Sequence, residues 1–288
     1  MIRTKGERIF EIINYIILLL VVVITLLPFL HVVAKSLSKE SAVMAGEVSI
    51  WPIGLNLRTY RYVIGNYAFL RSLYVSIFVT GIGTFLHVLV TSLVAYPLSR
   101  KYLIGRSFLT FIFIFTMLFS GGLIPTYLVI KSLKLIDNIW VLILPGLVSS
   151  FNMIILRNYF STIPDSLEES AKLDGCSNLG IFFRIIFPLS LPAIATVCIY
   201  TAVGYWNSYF NALIYINNRN LYPLSLYLRM VILDVSAQLV DLNPELTNLN
   251  PESVRSATVV AATLPILIVY PLLQKYFIKG VILGAVKE

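Results

Sequence analysis

The sequence contains few charged residues. Only 12% of its 288 residues are Asp, Glu, Lys or Arg, about half the share found in soluble domains, whereas 58% are hydrophobic. A compact soluble domain of this length could not bury so much apolar surface. The composition therefore excludes an ordinary soluble enzyme and a disordered chain, and it indicates a polytopic membrane protein.

Several chemical signatures are also missing. The two cysteines, Cys176 and Cys198, lie in a polar loop and an apolar run, so no disulfide framework is predicted. There is no P-loop, H-E-x-x-H motif, Cys–His cluster or G-x-S-x-G elbow, so we predict no metal, no cofactor and no catalytic residue on this chain. The two histidines, His31 and His87, are interpreted as hydrogen-bonded interior residues.

Six apolar stretches are long enough to cross a bilayer, which takes roughly 20 residues. They cover residues 12–34, 73–96, 108–130, 139–156, 191–214 and 257–273, and none contains Asp, Glu, Lys or Arg. The predicted fold class is therefore all-α, with one transmembrane domain over residues 1–288 and six transmembrane helices. The first stretch is too long for a cleaved signal peptide, and no small-residue cleavage site follows it cleanly.

The basic residues indicate the orientation of these helices. There are 22 Lys and Arg against 14 Asp and Glu, and they are scattered rather than gathered into the patch of a nucleic-acid binder. Short segments on one side carry Arg3, Lys5, Arg8, Arg100, Lys101, Arg106, Lys275, Lys279 and Lys287. The positive-inside rule then places both termini in the cytoplasm. The long segments 35–72 and 215–256 are predicted to lie outside, and the loop 157–189 and the tail 275–288 inside.

The lack of charged residues inside the six apolar stretches also bears on what would supply the energy for transport. Proton- or ion-coupled carriers usually need a titratable or charged group at depth. We therefore expect a partner that hydrolyses a nucleotide to supply the energy. A stand-alone secondary sugar carrier is the alternative, and it predicts uptake without ATP that an ionophore abolishes.

The loop between the fourth and fifth stretches has the pattern of a short helix. Pro164 suits a first helical turn, and Asp165, Glu168 and Glu169 follow near the positive end of the helix dipole. Gly175 is a suitable helix stop, and a second, apolar helix is predicted over residues 179–187. The segment either presses into a groove on a partner or is a loop capped for its own stability.

The same loop resembles a family signature. Glu169-Ser170-Ala171, Gly175, Ile185 and Phe187-Pro188 have the spacing of E-A-A-x3-G-x9-I-x-L-P, with Ser for the second Ala and Phe for Leu. That signature is typical of the permease subunits of binding-protein-dependent ABC importers. The resemblance implies that this helix docks into a cleft on an ATPase subunit. The implied coupling residues are Glu168, Glu169, Ser170, Ala171, Asp174, Gly175 and Pro188.

Two further segments extend the resemblance. Residues 276–288 are similar to the C-terminal tail of MalG-type carbohydrate permeases, which reaches between two ATPase subunits. Residues 119–127 and 145–155 resemble the YtcP-like branch of sugar importers. The implied tail contacts are Gly280, Gly284 and Lys287, with the glycines on an extended path. A frayed basic end is the alternative.

A substrate path is predicted along the fifth stretch, where aromatic rings could stack on sugars and amides could bind hydroxyls. Gly121, Gly122 and Pro125 are expected to bend the third stretch. The candidate path residues are Asn152, Tyr205, Trp206, Asn207, Tyr209 and Asn211. Interfacial anchoring and helix packing remain the alternatives for each of them.

The resemblance also implies an assembly in the bacterial inner membrane. This chain would form half of the path for a carbohydrate, expected to be an oligosaccharide, and a second homologous permease would form the other half. Two ATPase subunits would hold ATP and Mg²⁺, and an extracytoplasmic sugar-binding protein would meet the segment 215–256. The chain itself would be a non-catalytic subunit.

Overall fold

The computed structural model describes residues 5–242 and 250–285, and within those ranges every regular element is helical. The described residues fall into two compact units. One contains the described residues of Met1–Phe69 and Leu228–Pro265, and the other those of Leu70–Tyr227 and Ile266–Glu288. The all-α class predicted from the apolar runs is confirmed.

The first unit is dominated by a long apolar helix. Its elements are α1 (Lys5–Leu37), α2 (Glu40–Met44), α3 (Arg58–Gly65), the larger part of α13 (Leu224–Leu242) and the start of α14 (Pro251–Ala285). None of the apolar window within Arg8–Leu37 is buried. A helix that is apolar all round needs a non-aqueous surrounding. Only the end of α1 is packed, where Ala34 lies against Ala42, Val43 and Val48.

The second unit contains the remaining helices. They are α4 (Tyr67–Ser99), α5 (Arg106–Leu118), α6 (Leu123–Ser132), α7 (Ser150–Phe160), α8 (Asp165–Leu173), α9 (Asn178–Ile181), a π-helical turn (Phe182–Ile186), α10 (Phe187–Leu189), α11 (Leu191–Trp206) and α12 (Phe210–Tyr215). Short 3-10 turns lie at Ile139–Leu142, Leu144–Gly146 and Arg219–Leu221. The core joins residues from α4, α7, α8, the π-helical turn and α11, with Leu156, Phe160 and Phe182 at its centre.

Three of the predicted spans are not single straight helices. The bend in the third was predicted, whereas the breaks in the fourth and fifth correct the sequence-based expectation. The third stretch is α5 and α6, bent by 114°. The predicted bend is confirmed, because the break lies at residues 119–122, where Gly122 has φ +86°. The fourth stretch starts as 3-10 turns around Pro145 and bends by 46° into α7. The fifth ends its helix at Trp206 instead of residue 214.

By length and composition, two described helices could cross a membrane, or up to five if each bent pair counts as one span. The sixth predicted stretch lies within α14. The count of six spans therefore stays a prediction.

The extended tail predicted from Gly280 and Gly284 is wrong, because both residues lie inside α14. A glycine inside a helix costs only about 1 kcal/mol relative to alanine, and no proline follows Pro271 to end the helix. The third tail residue, Lys287, lies outside the described residues.

Candidate functional site

The signature loop folds into α8 with well-defined ends. Pro164 precedes the first residue, and acidic side chains occupy the first turn. At the other end Gly175 adopts φ +79°. Its N–H donates to the Lys172 carbonyl at 3.0 Å, and the Cys176 N–H donates to the Ala171 carbonyl at 2.9 Å. These two bonds form a Schellman motif, so Gly175 ends the helix as predicted.

The implied coupling residues of α8 divide between two faces. Glu168 and Ala171 are buried against the same chain. Glu169, Ser170, Asp174 and Gly175 are exposed, as is Pro188 in α10. The exposed face also carries apolar side chains, of which Leu173 is 89% exposed and Leu167 is 42% exposed. One face of α8 therefore packs against the same chain, and the opposite face is exposed.

Glu168 is held by three partners. Its Oε2 forms an ion pair with Arg100 Nε at 2.8 Å. Its Oε1 accepts a hydrogen bond from the Tyr102 hydroxyl at 2.6 Å and contacts Lys172 Nζ at 2.8 Å. Lys172 Nζ also lies 4.4 Å from the centre of the Tyr102 ring. Glu168 is therefore directed inward, and we correct its assignment from the docking face to the internal face.

These contacts shift the acidity of the groups involved. Burial alone would raise the pKa of Glu168, but the hydrogen bonds from Lys172 and Tyr102 and the charge of Arg100 outweigh it, and the pKa is lowered. Burial, together with the hydrogen bond to Glu168 and the charge of that carboxylate, raises the pKa of Tyr102 to about 12. Glu168 is therefore ionised and Tyr102 is a neutral donor at physiological pH.

The lowered pKa predicts how stability depends on pH. Because the Glu168 pKa is lower in the folded than in the unfolded chain, its contribution is complete above the ordinary value of 4.5 and is lost as pH falls through the folded pKa. We expect Glu168→Gln to unfold at a lower temperature than the wild type at pH 7. The difference between the two unfolding temperatures should narrow only below pH 4.5. Unfolding midpoints measured from pH 7 down to pH 3 follow this difference, and a difference that stays the same below pH 4.5 would contradict the assignment.

The segment after α8 anchors it to the core. Ser177 caps α9 by accepting a hydrogen bond from the Gly180 N–H. The following π-helical turn buries Phe182, whose ring lies 5.5 Å from the Tyr96 ring and 6.5 Å from the Phe160 ring. The helix predicted over residues 179–187 is therefore present, with a wider turn in its middle.

A second candidate site is a buried polar cluster in the apolar part of the second unit. Asn152 Nδ2 lies 2.9 Å from His87 Nε2 and donates to Thr201 Oγ1 at 3.2 Å. His87 Nδ1 lies 2.7 Å from the Gly146 carbonyl oxygen. Because a carbonyl only accepts, the proton sits on Nδ1 and Nε2 accepts from Asn152. His87 is a hydrogen-bonded interior residue, as predicted.

The cluster borders a cavity of about 230 Å³. Its polar lining consists of His87, Asn152, Thr201, Tyr205, Ser208 and Asn211. The structure therefore brings together three of the predicted path residues, Asn152, Tyr205 and Asn211. The others, Trp206, Asn207 and Tyr209, are not in its lining. Thr201 also lines the cavity but was not selected as a path residue, because a single hydroxyl in an apolar run carries no distinctive signal.

Tyr205 is fixed between two glycines. A Cβ at Gly83 would lie 2.9 Å from its ring, and one at Gly146 would lie 3.1 Å from its hydroxyl oxygen. The hydroxyl donates to the Ile143 carbonyl at 3.2 Å. The close approach of α4 and α11 therefore depends on the missing side chain at Gly83, as in other tightly packed membrane helices.

This packing predicts a difference between two glycines of one helix. Gly83→Ala should destabilise the protein by about 1–3 kcal/mol, because the ring of Tyr205 must shift. Gly81→Ala is the matched control, since a Cβ there meets nothing within 4 Å. Thermal unfolding of both variants tests this. Equal midpoints for the two would show that the contact with Tyr205 is unimportant.

Comparison with known proteins shows the family of this chain. A family model described as the binding-protein-dependent transport system inner membrane component matches residues 68–283. The chain belongs to this family. The polygalacturonan/rhamnogalacturonan transport system permease protein YtcP of Bacillus subtilis is 47% identical over 98% of this chain and 99% of its own length. The protein LplC of the same organism is 46% identical over 99% of this chain and 97% of its own length.

Solved structures agree with the family. A chain from a bacterial ABC transporter involved in the import of the acidic polysaccharide alginate has a TM-score of 0.89 and 32% identity, covering 96% of this chain and 99% of its own. The resemblance to importer permeases predicted from the loop signature is confirmed. The protein is thus an inner-membrane component of a transport system.

Proposed function

We propose that this chain is one membrane subunit of an ATP-driven importer of oligosaccharides. It pairs with a second homologous permease, and each forms half of the translocation path. An extracytoplasmic binding protein delivers the sugar to the outer segment 215–256. Family membership supports the transport role, and the observation that carries the mechanism is α8, which is anchored on one face and exposed on the other.

The exposed face of α8 is proposed to dock on an ATPase subunit. Leu167 and Leu173 offer apolar contacts, with the carboxylates of Glu169 and Asp174 beside them. A short helix of this kind can insert into a hydrophobic groove on a partner. ATP and Mg²⁺ then belong to the ATPase, which supplies the energy. Both termini are proposed to be cytoplasmic, with Gly280, Gly284 and Lys287 near the ATPase pair.

The cavity beside Asn152 supports a sugar as the cargo. Its amide, hydroxyl and phenol groups can exchange hydrogen bonds with sugar hydroxyls, and Tyr205 offers an aromatic surface. The names of YtcP and of the alginate transporter point to glycans rich in uronic acids. We therefore propose oligosaccharides that contain uronic acids as the substrate class. Trp206, Asn207 and Tyr209 are proposed to meet the sugar elsewhere along the path.

Uptake into proteoliposomes tests this function. The vesicles contain this chain, its second permease and the ATPase, with the binding protein outside and ATP inside. We expect labelled trigalacturonate to enter only when ATP is present, and galactotriose, the neutral control, to enter more slowly. Entry without ATP that an ionophore abolishes would favour the secondary carrier. Entry of neither sugar would contradict the assigned cargo.

A further inference from the structure

Arg100 is a fully buried arginine at the end of α4. Its side chain is 1% exposed, and its guanidinium lies 5.3 Å from the centre of the Tyr96 ring. A buried guanidinium is costly unless its charge is balanced, and an apolar residue of similar size often stabilises a fold as well. Stability in general therefore does not account for an arginine at this position, whereas a role in fixing the position of a neighbouring helix does.

The partners of Arg100 indicate which geometry is fixed. Nε contacts Glu168 Oε2 at 2.8 Å, and Nη1 contacts Asp165 Oδ1 at 3.1 Å. The two acidic residues are three positions apart, so they lie on one face of α8 and on successive turns. One planar guanidinium that holds both turns opposes rotation of α8 about its axis and sliding along it.

The same end of α4 is joined to two other helices. Arg106 Nε, at the start of α5, and Arg157 Nε, near the end of α7, both donate to the Leu98 carbonyl at 3.0 Å. A carbonyl oxygen has two lone pairs and can accept both donors. Positive charge at the C-terminal end of a helix is also favoured by the helix dipole. Three arginines therefore join α4 to α5, α7 and α8 at one point.

We propose that Arg100 is the positioning residue that makes α8 and α4 move as one body during transport. On the proposed function, on which this inference rests, the ATPase displaces α8. Through Arg100 that displacement reaches α4 directly, and α4 carries His87 in the lining of the polar cavity and Gly83 against the ring of Tyr205. The hydrogen bonds of Arg106 and Arg157 to the Leu98 carbonyl carry the same motion to α5 and α7.

Distance measurements between spin labels test this coupling without any sugar. One label replaces Ser166, exposed on α8, and the other replaces Phe85, exposed on α4, after Cys176 and Cys198 are changed to alanine. The assembled complex is compared without nucleotide and after trapping with ATP and vanadate. We expect the wild-type distance to stay constant, and Arg100→Met to broaden the distribution and to shift it on trapping.

Two further variants keep the test decisive. Lys101→Met removes the same charge from the next, exposed residue, and it should behave as the wild type. Arg100→Lys keeps the buried charge but can reach only one carboxylate. If the complex with Arg100→Met does not assemble, the label distances are measured in Arg100→Lys instead, with the same expected result. The proposal is overturned if the wild-type distance changes on trapping, or if the Arg100 variants match the wild type. A complex that never binds the ATPase would instead overturn the proposed function.

Discussion

Replacing Glu168 with alanine is expected to lower the free energy of unfolding by about 3–5 kcal/mol, because the buried charge of Arg100 loses its closest partner. The variant also removes the acceptor of the Tyr102 hydrogen bond. The unfolding midpoint of the purified complex in detergent, measured at pH 7, reports the loss. Replacing both members of the pair, as in Arg100→Met with Glu168→Leu, should recover a large part of it.

Glu47→Ala is the matched control for Glu168→Ala, since Glu47 is exposed and its loss leaves no buried charge unpaired. Its unfolding midpoint should stay close to that of the wild type. If Glu168→Ala were as harmless as Glu47→Ala, the carboxylate would not neutralise Arg100, and the inward orientation of Glu168 would be refuted.

Replacing Gly175 with valine is expected to abolish ATP-driven uptake. Gly175 has φ +79°, and the left-handed conformation costs other L-residues about 1–2 kcal/mol, with β-branched residues among the least tolerant. A Cβ at Gly175 meets nothing within 4 Å, so the effect comes from the backbone instead of a clash within the chain. Without the Schellman motif, the hydrogen bond between Cys176 and Ala171 is lost and the docking face of α8 is displaced.

Gly175→Asn separates the backbone effect from the added side chain, because asparagine adopts the left-handed conformation far more readily than valine. We expect the asparagine variant to keep most of the uptake and of the ATPase bound in co-purification. Equal loss in the valine and asparagine variants would show that the space at residue 175, and not its backbone conformation, governs coupling.

The helix carrying the signature could be predicted in detail because its signals are local. Pro164 at its start and Gly175 at its end determine the bounds of α8. The break before α6 was equally predictable, since Gly121 and Gly122 favour a bend wherever the chain places them. Each of these features depends on residues within one or two helical turns.

Features that depend on distant partners could not be predicted. Glu168 and Glu169 are identical neighbours in the sequence, and the distant partners Arg100 and Tyr102 determine that the first of them faces inward. The polar cluster likewise joins His87, Asn152 and Thr201 from three separate helices. The tail was predicted as extended because glycines let the backbone approach another surface closely, but the apolar helix-forming residues around Gly280 and Gly284 keep this segment in α14.

The contact between α8 and the ATPase is tested most directly by a photo-reactive residue in place of Leu173, the most exposed apolar residue on that helix. The same residue in place of Phe85, exposed on α4, serves as the control. Irradiating the assembled complex should join the Leu173 variant, and not the Phe85 variant, to an ATPase subunit. A Leu173 variant that cross-links only to lipid or to its own chain would contradict this account of energy coupling.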